Sequence, residues 1–311
     1  MSRILRLEGN VNVNWEEALQ GFLFWKQAQG LSKTTLNDYE RHAEMFFKRF
    51  PNSWQSDDLR RCLLEYMADD IKPATYNLRL IYLRAFFQWC ITEGYLVDNP
   101  LKDFKRRKAP GRIVDLSEDT LKELLQLPDQ STFAGLRDYA LILLTLDTGI
   151  RPKEAFALKD DHIDLKHLLI VIPAEAAKTR VERTLPIMPT TAEILRKLVR
   201  TIQSVWGEGV SVFCTCEGRS MTRHTWNDRM QFYSKKLGVK VRPYDLRHSF
   251  AVIYLRNGGH AFGLQNTLGH TDIQMTKKYV NITGSDLRTS HTKASPINTL
   301  VTKNKKRIRN I

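Results

Sequence analysis

The stretch LLIVIPAEAAKTRVERTLPI, residues 168–187, carries the strand signal of this sequence. Two short aliphatic runs, 168–173 and 184–187, flank a polar segment. Aliphatic and β-branched runs of this length, interrupted by polar residues, predict a pair of strands with an exposed tip. Lys178 lies in the polar segment, so the predicted hairpin presents a cation to its surroundings.

The sequence on both sides of this hairpin predicts helices. Upstream, Ser117 caps a helix that runs to residue 127, and residues 136–146 form an apolar helix that stops at Gly149. Downstream, the apolar spacing predicts helices over 192–202, 226–237, 247–257 and 262–268, and from 276 onward. This part of the chain is therefore expected to be mostly helical with a small antiparallel sheet.

The N-terminal part has helical periodicity and no strand signal. Apolar residues recur at spacings of three and four, Asn14 and Ser32 are good N-caps, and Pro73 suits a first helical turn. Residues 13–100 are therefore predicted to form a compact unit of four helices.

A polar, basic segment separates the two parts. Residues 101–113 include Lys105-Arg106-Arg107-Lys108, followed by Pro110 and Gly111, a composition typical of a linker between domains. We therefore predict a helical domain at 13–100, a linker at 101–113, a second domain at 114–295 and a basic tail at 296–311.

The charge of the chain indicates an anionic partner. The net charge is +14; residues 1–110 carry 17 basic and 14 acidic side chains, which leaves 31 basic and 20 acidic for residues 111–311. Lysine and arginine in excess favour contact with a polyanion, either a nucleic acid or an anionic membrane surface. No stretch approaches the roughly 20 apolar residues that span a bilayer. The first residues lack the apolar core of a signal peptide, which predicts a cytoplasmic protein.

Five short motifs follow one another in the second part. They are Thr148-Gly149-Ile150-Arg151-Pro152-Lys153-Glu154, Lys178-Thr179, Tyr244-Asp245-Leu246-Arg247-His248, Leu268-Gly269-His270, and Tyr279, which lies nine residues after His270. Each motif alone is weak, whereas five in this order are specific. The pattern resembles the tyrosine recombinase (phage integrase) family, and with the N-terminal helices the resemblance extends over residues 13–295.

The resemblance implies a fold and a reaction. The fold would be mainly α, with a helical core-binding (SAM-like) domain and a mostly helical catalytic domain that contains a small antiparallel sheet. The reaction would be site-specific recombination of duplex DNA through a 3′-phosphotyrosyl intermediate, without metal or nucleotide cofactor.

The residue types suit phosphodiester exchange, in which negative charge develops on the phosphate oxygens. Arg151 and Arg247 would clamp the non-bridging oxygens, because a planar guanidinium matches phosphate bidentately. The resemblance assigns protonation of the leaving 5′ oxygen to Lys178, a phosphate hydrogen bond to His270, and the nucleophilic attack to Tyr279.

Glu154 lies three residues after Arg151, so on a helix the two form an ion pair that orients the arginine. Arg180 and Arg183, near Lys178 on the hairpin, and the four linker cations Lys105, Arg106, Arg107 and Lys108 are predicted to contact DNA.

Tyr244 is a departure, because the family usually has histidine at this position. A phenol with a pKa near ~10 is a poor general base at neutral pH, but it can hydrogen-bond a phosphate oxygen. A slower but working site is therefore expected, and His248 is predicted to pack or hydrogen-bond within the fold.

Two alternatives compete with this interpretation. The chain could be a DNA-binding protein of the same fold with impaired catalysis, of which Tyr244 would be the sign. A zinc nuclease built on Cys214, Cys216 and His224 is a weaker alternative, because the Cys-x-Cys spacing lacks a second ligand pair.

The resemblance also implies partners. The protein would assemble as a tetramer on two DNA sites, exchange a segment within about 286–300 between neighbours, and work with accessory DNA-bending proteins. The leader before residue 13 is too short for an arm-binding domain, so the chain is expected to be similar in size to Xer-type recombinases. It would act on a mobile element or replicon, and it would be located at the nucleoid.

Overall fold

A computed structural model describes residues 13–54, 56–109, 116–177, 179–283, 291–292 and 295–300. The chain divides into two compact units, Met1–Gly111 and Arg112–Ile311. In the described ranges no helix combines the length and the apolar character needed to cross a bilayer.

Where the structure describes it, the first unit contains four helices, as predicted: α1 (Trp15–Ala28), α2 (Lys33–Arg49), α3 (Leu59–Ala68) and α4 (Pro73–Thr92). Asn14 caps α1 in a reciprocal pair: its side chain accepts from the Glu17 backbone at 2.7 Å, and the Glu17 carboxylate accepts from the Asn14 backbone at 3.2 Å. The core is dominated by stacked and edge-on aromatic rings, which include Phe22, Phe46, Phe47, Phe86 and Phe87.

The segment after α4 remains attached to this unit. Leu101 is fully buried in the aromatic core, and its carbonyl accepts from Nη2 of Arg84 at 2.9 Å. Further on, the Asn77 side chain makes two 2.8 Å hydrogen bonds with the backbone of Arg107, whose guanidinium lies 3.8 Å from the centre of the Tyr76 ring. The sequence predicts the linker from residue 101, whereas residues 101–107 pack on the first unit.

The described residues of the second unit contain the remaining elements. They are α5 (Glu118–Gln126), α6 (Phe133–Thr148), α7 (Pro152–Phe156), a 3₁₀ turn (Asp160–His162), β1 (Ile163–Asp164), β2 (Leu169–Ile172), β3 (Arg183–Pro186), α8 (Pro189–Trp206), α9 (Arg223–Leu237), α10 (Pro243–Arg256), α11 (Ala261–Leu268), α12 (Gln274–Thr283) and α13 (Ile297–Leu300).

The three strands form one antiparallel sheet in the order β1-β2-β3. Ile170 of β2 pairs with Leu185 of β3 on one side and with Ile163 of β1 on the other. The mainly helical fold class and the β2–β3 hairpin are thus confirmed. The sequence did not indicate β1, since a two-residue strand has no periodicity.

The long apolar helix α6 is the centre of this unit. Its Leu141, Ile142 and Leu144 are fully buried, and it packs against both α8 and α10. Helix α10 also packs against α11 and α12. This arrangement brings residues that are far apart in the chain to the N-terminal half of α10.

Candidate active site

The turn after α6 positions the first arginine. Gly149 has φ +64°, in the left-handed region that favours glycine. A Cβ there would lie 2.4 Å from Cδ1 of Phe250 and 2.7 Å from Cδ2 of Leu268. Backbone conformation and close packing therefore both require glycine at this position. The turn leaves Arg151 at the N-terminus of α7, directly before Pro152.

A buried carboxylate holds Arg151. Glu154 is 1% exposed; its Oε1 accepts from Nη1 of Arg151 at 2.9 Å and its Oε2 accepts from the Arg151 backbone at 3.1 Å. Arg183 donates to both oxygens of the same carboxylate, at 2.6 and 3.1 Å. Burial by itself would raise the pKa of Glu154, but Arg183 and Arg151 outweigh burial and hold that pKa below its ordinary value. The ion pair expected from the spacing is present, and Arg183 is an additional partner.

Arg247 is fixed by main-chain oxygens. It is 4% exposed, and it donates to the carbonyl of Gly149 and, at 2.8 Å, to that of Leu268. Its Nη2 also lies 3.3 Å from Nε2 of His270. Burial, together with the nearby charge of Arg151, lowers the pKa of Arg247. A nearby anion would offset both effects.

His270 follows the left-handed Gly269 that ends α11. Because Arg247 donates to Nε2, the ring proton is on Nδ1, which lies 2.9 Å from Oγ1 of Thr276. Burial lowers the pKa of His270 to about 4, and the positive charge of Arg247 adds to that effect. The imidazole is therefore neutral at pH 7, with both nitrogens engaged.

Tyr279 lies on α12 and is only 1% exposed. It packs with Phe250, Leu264 and Leu268, and its hydroxyl lies 2.6 Å from Nδ1 of His248. Burial raises the pKa of Tyr279, while the charges of Arg247 and Arg151 act in the opposite direction. The phenol is therefore protonated at neutral pH, and it is close enough to both guanidinium groups for their positive charges to affect its pKa.

These side chains make an anion site beside a phenol. Arg151 donates from Nη2 to the carbonyl of Gly269 at 3.1 Å, which brings it next to His270. The guanidinium groups of Arg151, Arg183 and Arg247 outnumber the Glu154 carboxylate by two charges. A phosphate diester has the charge and the bidentate geometry that such a cluster favours.

Tyr244 lies in the first turn of α10. Its residue surface is 49% exposed, and it lines a groove of about 1180 Å³. His248, one helical turn later, lines the same groove. Cationic side chains also line it, namely Lys153, Arg223, Lys240 and Arg242.

The remaining predicted site residues are placed as follows. Lys178 lies outside the described residues. Arg180 is exposed, whereas the Arg183 side chain is 12% exposed and engaged with Glu154. The linker residues Lys105, Arg106, Arg107 and Lys108 are exposed, although Arg107 stacks on Tyr76. Their contact with DNA stays a prediction.

The zinc alternative gains no support from the geometry. Cys214 is buried and Cys216 is exposed, and within the described ranges no three metal-ligating His, Cys, Asp or Glu side chains come together.

Sequence reasoning did not identify the partner of Tyr279. It predicted only that His248 packs or hydrogen-bonds within the fold, and it gave no partner because the contact joins residues 31 positions apart. The four-residue spacing from Tyr244 to His248 places both on one face of α10, but it does not indicate a contact of either residue with Tyr279.

Comparison with known families matches most of the chain. The phage integrase family matches residues 115–285, and the SAM-like N-terminal domain of phage integrases matches residues 20–94. The tyrosine recombinase XerD of Ralstonia nicotianae is 30% identical over 296 residues, which cover 90% of this chain and 94% of that protein. The chain therefore belongs to the phage integrase family of tyrosine recombinases, which are DNA strand-exchange enzymes.

Solved structures share the fold. A lambda integrase bound to a COC′ core site superposes with a TM-score of 0.69 at 19% identity, covering 85% of this chain and 97% of that one. The XerH recombinase in a post-cleavage complex with palindromic difH has a TM-score of 0.68 at 20% identity, covering 88% and 82%.

Proposed function

We propose that this protein is a site-specific recombinase that cuts and rejoins duplex DNA with Tyr279 as the nucleophile. One observation carries the proposal: Arg151, Arg247, His270 and Tyr279 come from four separate elements and converge on one site with excess positive charge. A phenol beside a phosphate-binding cluster suits transfer of a phosphoryl group to oxygen.

The roles follow from the geometry. Arg151 and Arg247 hold the two non-bridging oxygens, and they neutralise the charge that develops there in the transition state. When phosphate takes the donation of Arg247, Nε2 of His270 is released from its present acceptor role. The other imidazole tautomer can then donate from Nε2 to the phosphate.

The covalent step conserves the energy of the phosphodiester. The Tyr279 oxygen attacks phosphorus, the bond to the 5′ oxygen breaks, and Lys178 supplies the proton to that leaving oxygen. A 5′-hydroxyl of a second strand reverses the step and restores Tyr279, so no metal or nucleotide enters the reaction.

The proposed DNA substrate and assembly are inferred from related recombinases. The lambda integrase and XerH structures contain those proteins on DNA sites, and we extend duplex DNA to this chain as its substrate. The first domain (13–100) and the catalytic domain (114–295) would each contact the duplex, with the linker cations and Arg180 among the binding groups, whereas Arg183 is held by Glu154. We further propose that the protein assembles as a tetramer on DNA and exchanges segment 286–300 between neighbours. It would work with accessory DNA-bending proteins and recombine a mobile element or replicon at the nucleoid.

Covalent trapping tests it. A duplex selected by binding from a random-sequence pool is nicked just 3′ of the cleavage point, so that the released fragment diffuses away and the protein–DNA adduct accumulates. Wild-type protein should form the adduct, and Tyr279→Phe should form none while binding the duplex with similar affinity. Tyr139→Phe on α6 is the matched control and should behave as wild type.

Two results would contradict this assignment. Adduct formation by Tyr279→Phe would show that another residue is the nucleophile. Absence of an adduct with wild-type protein that binds the selected duplex would favour the catalytically impaired alternative. In addition, Arg151→Ala should lower the cleavage rate far more than the affinity for DNA.

A further inference from the structure

The hydroxyl oxygen of Tyr279 lies 2.6 Å from Nδ1 of His248, within hydrogen-bond distance. If the neutral imidazole accepts the phenolic proton at Nδ1, its own proton is on Nε2. A donor–acceptor separation this short is in the range required for direct proton transfer between a nucleophile and its base.

The attack of Tyr279 needs a proton acceptor. Burial raises the pKa of the phenol, so the hydroxyl keeps its proton at neutral pH. Arg247 and Arg151 oppose that effect and would stabilise the phenolate once it forms. The guanidinium groups are donors and cannot take the proton themselves.

The other candidates for this role are poorly placed. In the present arrangement His270 accepts from Arg247 at Nε2 and pairs with Thr276 at Nδ1, and its lowered pKa makes it a weak base. Tyr244, at the position where a histidine was expected, is itself a phenol and is half exposed in the groove.

Resting on the proposed role of Tyr279 as nucleophile, we propose that His248 is the general base of strand cleavage. The Tyr279 oxygen forms a bond to phosphorus as its proton moves to Nδ1 of His248. The bond from phosphorus to the 5′ oxygen breaks, and the leaving oxygen takes a proton from Lys178. Ligation returns the His248 proton to the tyrosine oxygen.

The surroundings of His248 suit this function. Tyr279 is enclosed, whereas His248 is partly exposed and lines the groove of about 1180 Å³ beside Tyr244. The imidazole is thus more exposed than the phenol that it contacts. His248 directly follows Arg247 on α10, so the base and one of the two phosphate-binding arginines lie on the same helix.

The test replaces the base but keeps the hydrogen bond. In His248→Asn the amide oxygen can accept from Tyr279 near the former Nδ1 position, but it cannot take up a proton. The rate of adduct formation on the nicked duplex should fall about 100-fold or more, with the dissociation constant for DNA and the unfolding midpoint close to wild type. His260→Asn, at an exposed N-cap position where asparagine is favoured, is the control and should cleave normally.

A modified leaving group separates base from acid. In a duplex with sulfur in place of the bridging 5′ oxygen, the thiolate leaves without a proton. This duplex should restore cleavage by Lys178→Ala and leave His248→Asn slow. If His248→Asn is too unstable to assay, His248→Gln is measured by the same criteria.

Two outcomes would overturn the inference. Cleavage by His248→Asn at the wild-type rate or faster would mean that the hydrogen bond only holds Tyr279 in place. Normal cleavage of the sulfur-substituted duplex by His248→Asn would mean that the variant is defective in protonating the leaving 5′ oxygen and not in deprotonating Tyr279. Neither result affects Tyr279 as the nucleophile, which Tyr279→Phe tests separately.

Discussion

Arg183 of β3 binds the Glu154 carboxylate through both terminal nitrogens, at 2.6 and 3.1 Å, although the two residues are 29 positions apart. The same guanidinium donates from Nε to the carbonyl of Thr267 at 3.3 Å. One side chain thus joins the hairpin that carries Lys178, the carboxylate that orients Arg151, and the helix that precedes His270.

Replacement of Arg183 should therefore affect both stability and cleavage. Arg183→Ala leaves a buried carboxylate with one partner fewer, which should lower the free energy of unfolding by about 3 kcal/mol in urea titrations. Arg183→Lys keeps the charge but not the bidentate geometry, and it should recover only part of that loss. Arg180→Ala, at an exposed position on the same hairpin, is the control and should lose little stability. An equal loss of unfolding free energy in Arg183→Ala and Arg180→Ala would mean that the ion pair with Glu154 does not stabilise the fold.

Gly149 offers a test of the turn that positions Arg151. Gly149→Ala adds left-handed strain of about 1–2 kcal/mol and a methyl group within 2.4 Å of Phe250, so the total loss of stability should be several kcal/mol. Gly238→Ala is the matched control, because Gly238 has φ +69° and nothing within 4 Å of its added Cβ. Thermal melting of the two variants gives the comparison, and similar melting temperatures would contradict the role of close packing.

Tyr244 should be a position where histidine improves the enzyme. Tyr244→His places an imidazole donor at the edge of the site, and one hydrogen bond to a charged phosphate is worth about a tenfold faster adduct formation. Tyr244→Phe removes the hydroxyl and should be slower than wild type. The residue is half exposed, so both variants should unfold within about 0.5 kcal/mol of wild type. An unchanged rate in Tyr244→His would remove the basis for this interpretation.

His270 predicts a pH dependence of stability. Its pKa moves from 6.5 to about 4 on folding because of burial and nearby positive charge. Between these values the unfolded chain binds more protons, so the stabilising contribution is complete above pH 6.5 and is lost as the pH falls toward 4. The loss is on the order of 3 kcal/mol.

Urea titrations across this pH range check the prediction. His270→Gln should flatten the dependence, with His224→Gln at an exposed position as the control. Burial also lowers the pKa of His42, so part of the slope should remain in His270→Gln. A slope identical to wild type would show that His270 is not the group responsible.

Local patterns predicted most of the fold. The helices follow from apolar spacing and caps such as Asn14, and the β2–β3 hairpin follows from two aliphatic runs around a polar tip. Packing on the first unit by residues 101–107 was not predictable from composition, because the buried side of Leu101 and the stacking of Arg107 on Tyr76 depend on α4.

The site could be predicted as a set of residues but not as a geometry. Motif order named Arg151, Arg247, His270 and Tyr279, and helical spacing predicted the pair of Arg151 with Glu154. The contacts of Arg183 with Glu154 and of His248 with Tyr279 join distant elements, and no local period encodes them. The structure adds these two contacts to the predicted set.

The anchoring of Arg247 by backbone oxygens affects how well the site tolerates amino-acid substitutions around it. Its two carbonyl acceptors, on Gly149 and Leu268, belong to the peptide backbone, and every amino acid supplies such an oxygen. Substitution of neighbouring side chains therefore leaves the guanidinium in place as long as the chain keeps its course. Diversification of the surrounding surface, including any new preference for DNA sequence, can proceed without dislodging the charge on which the reaction depends.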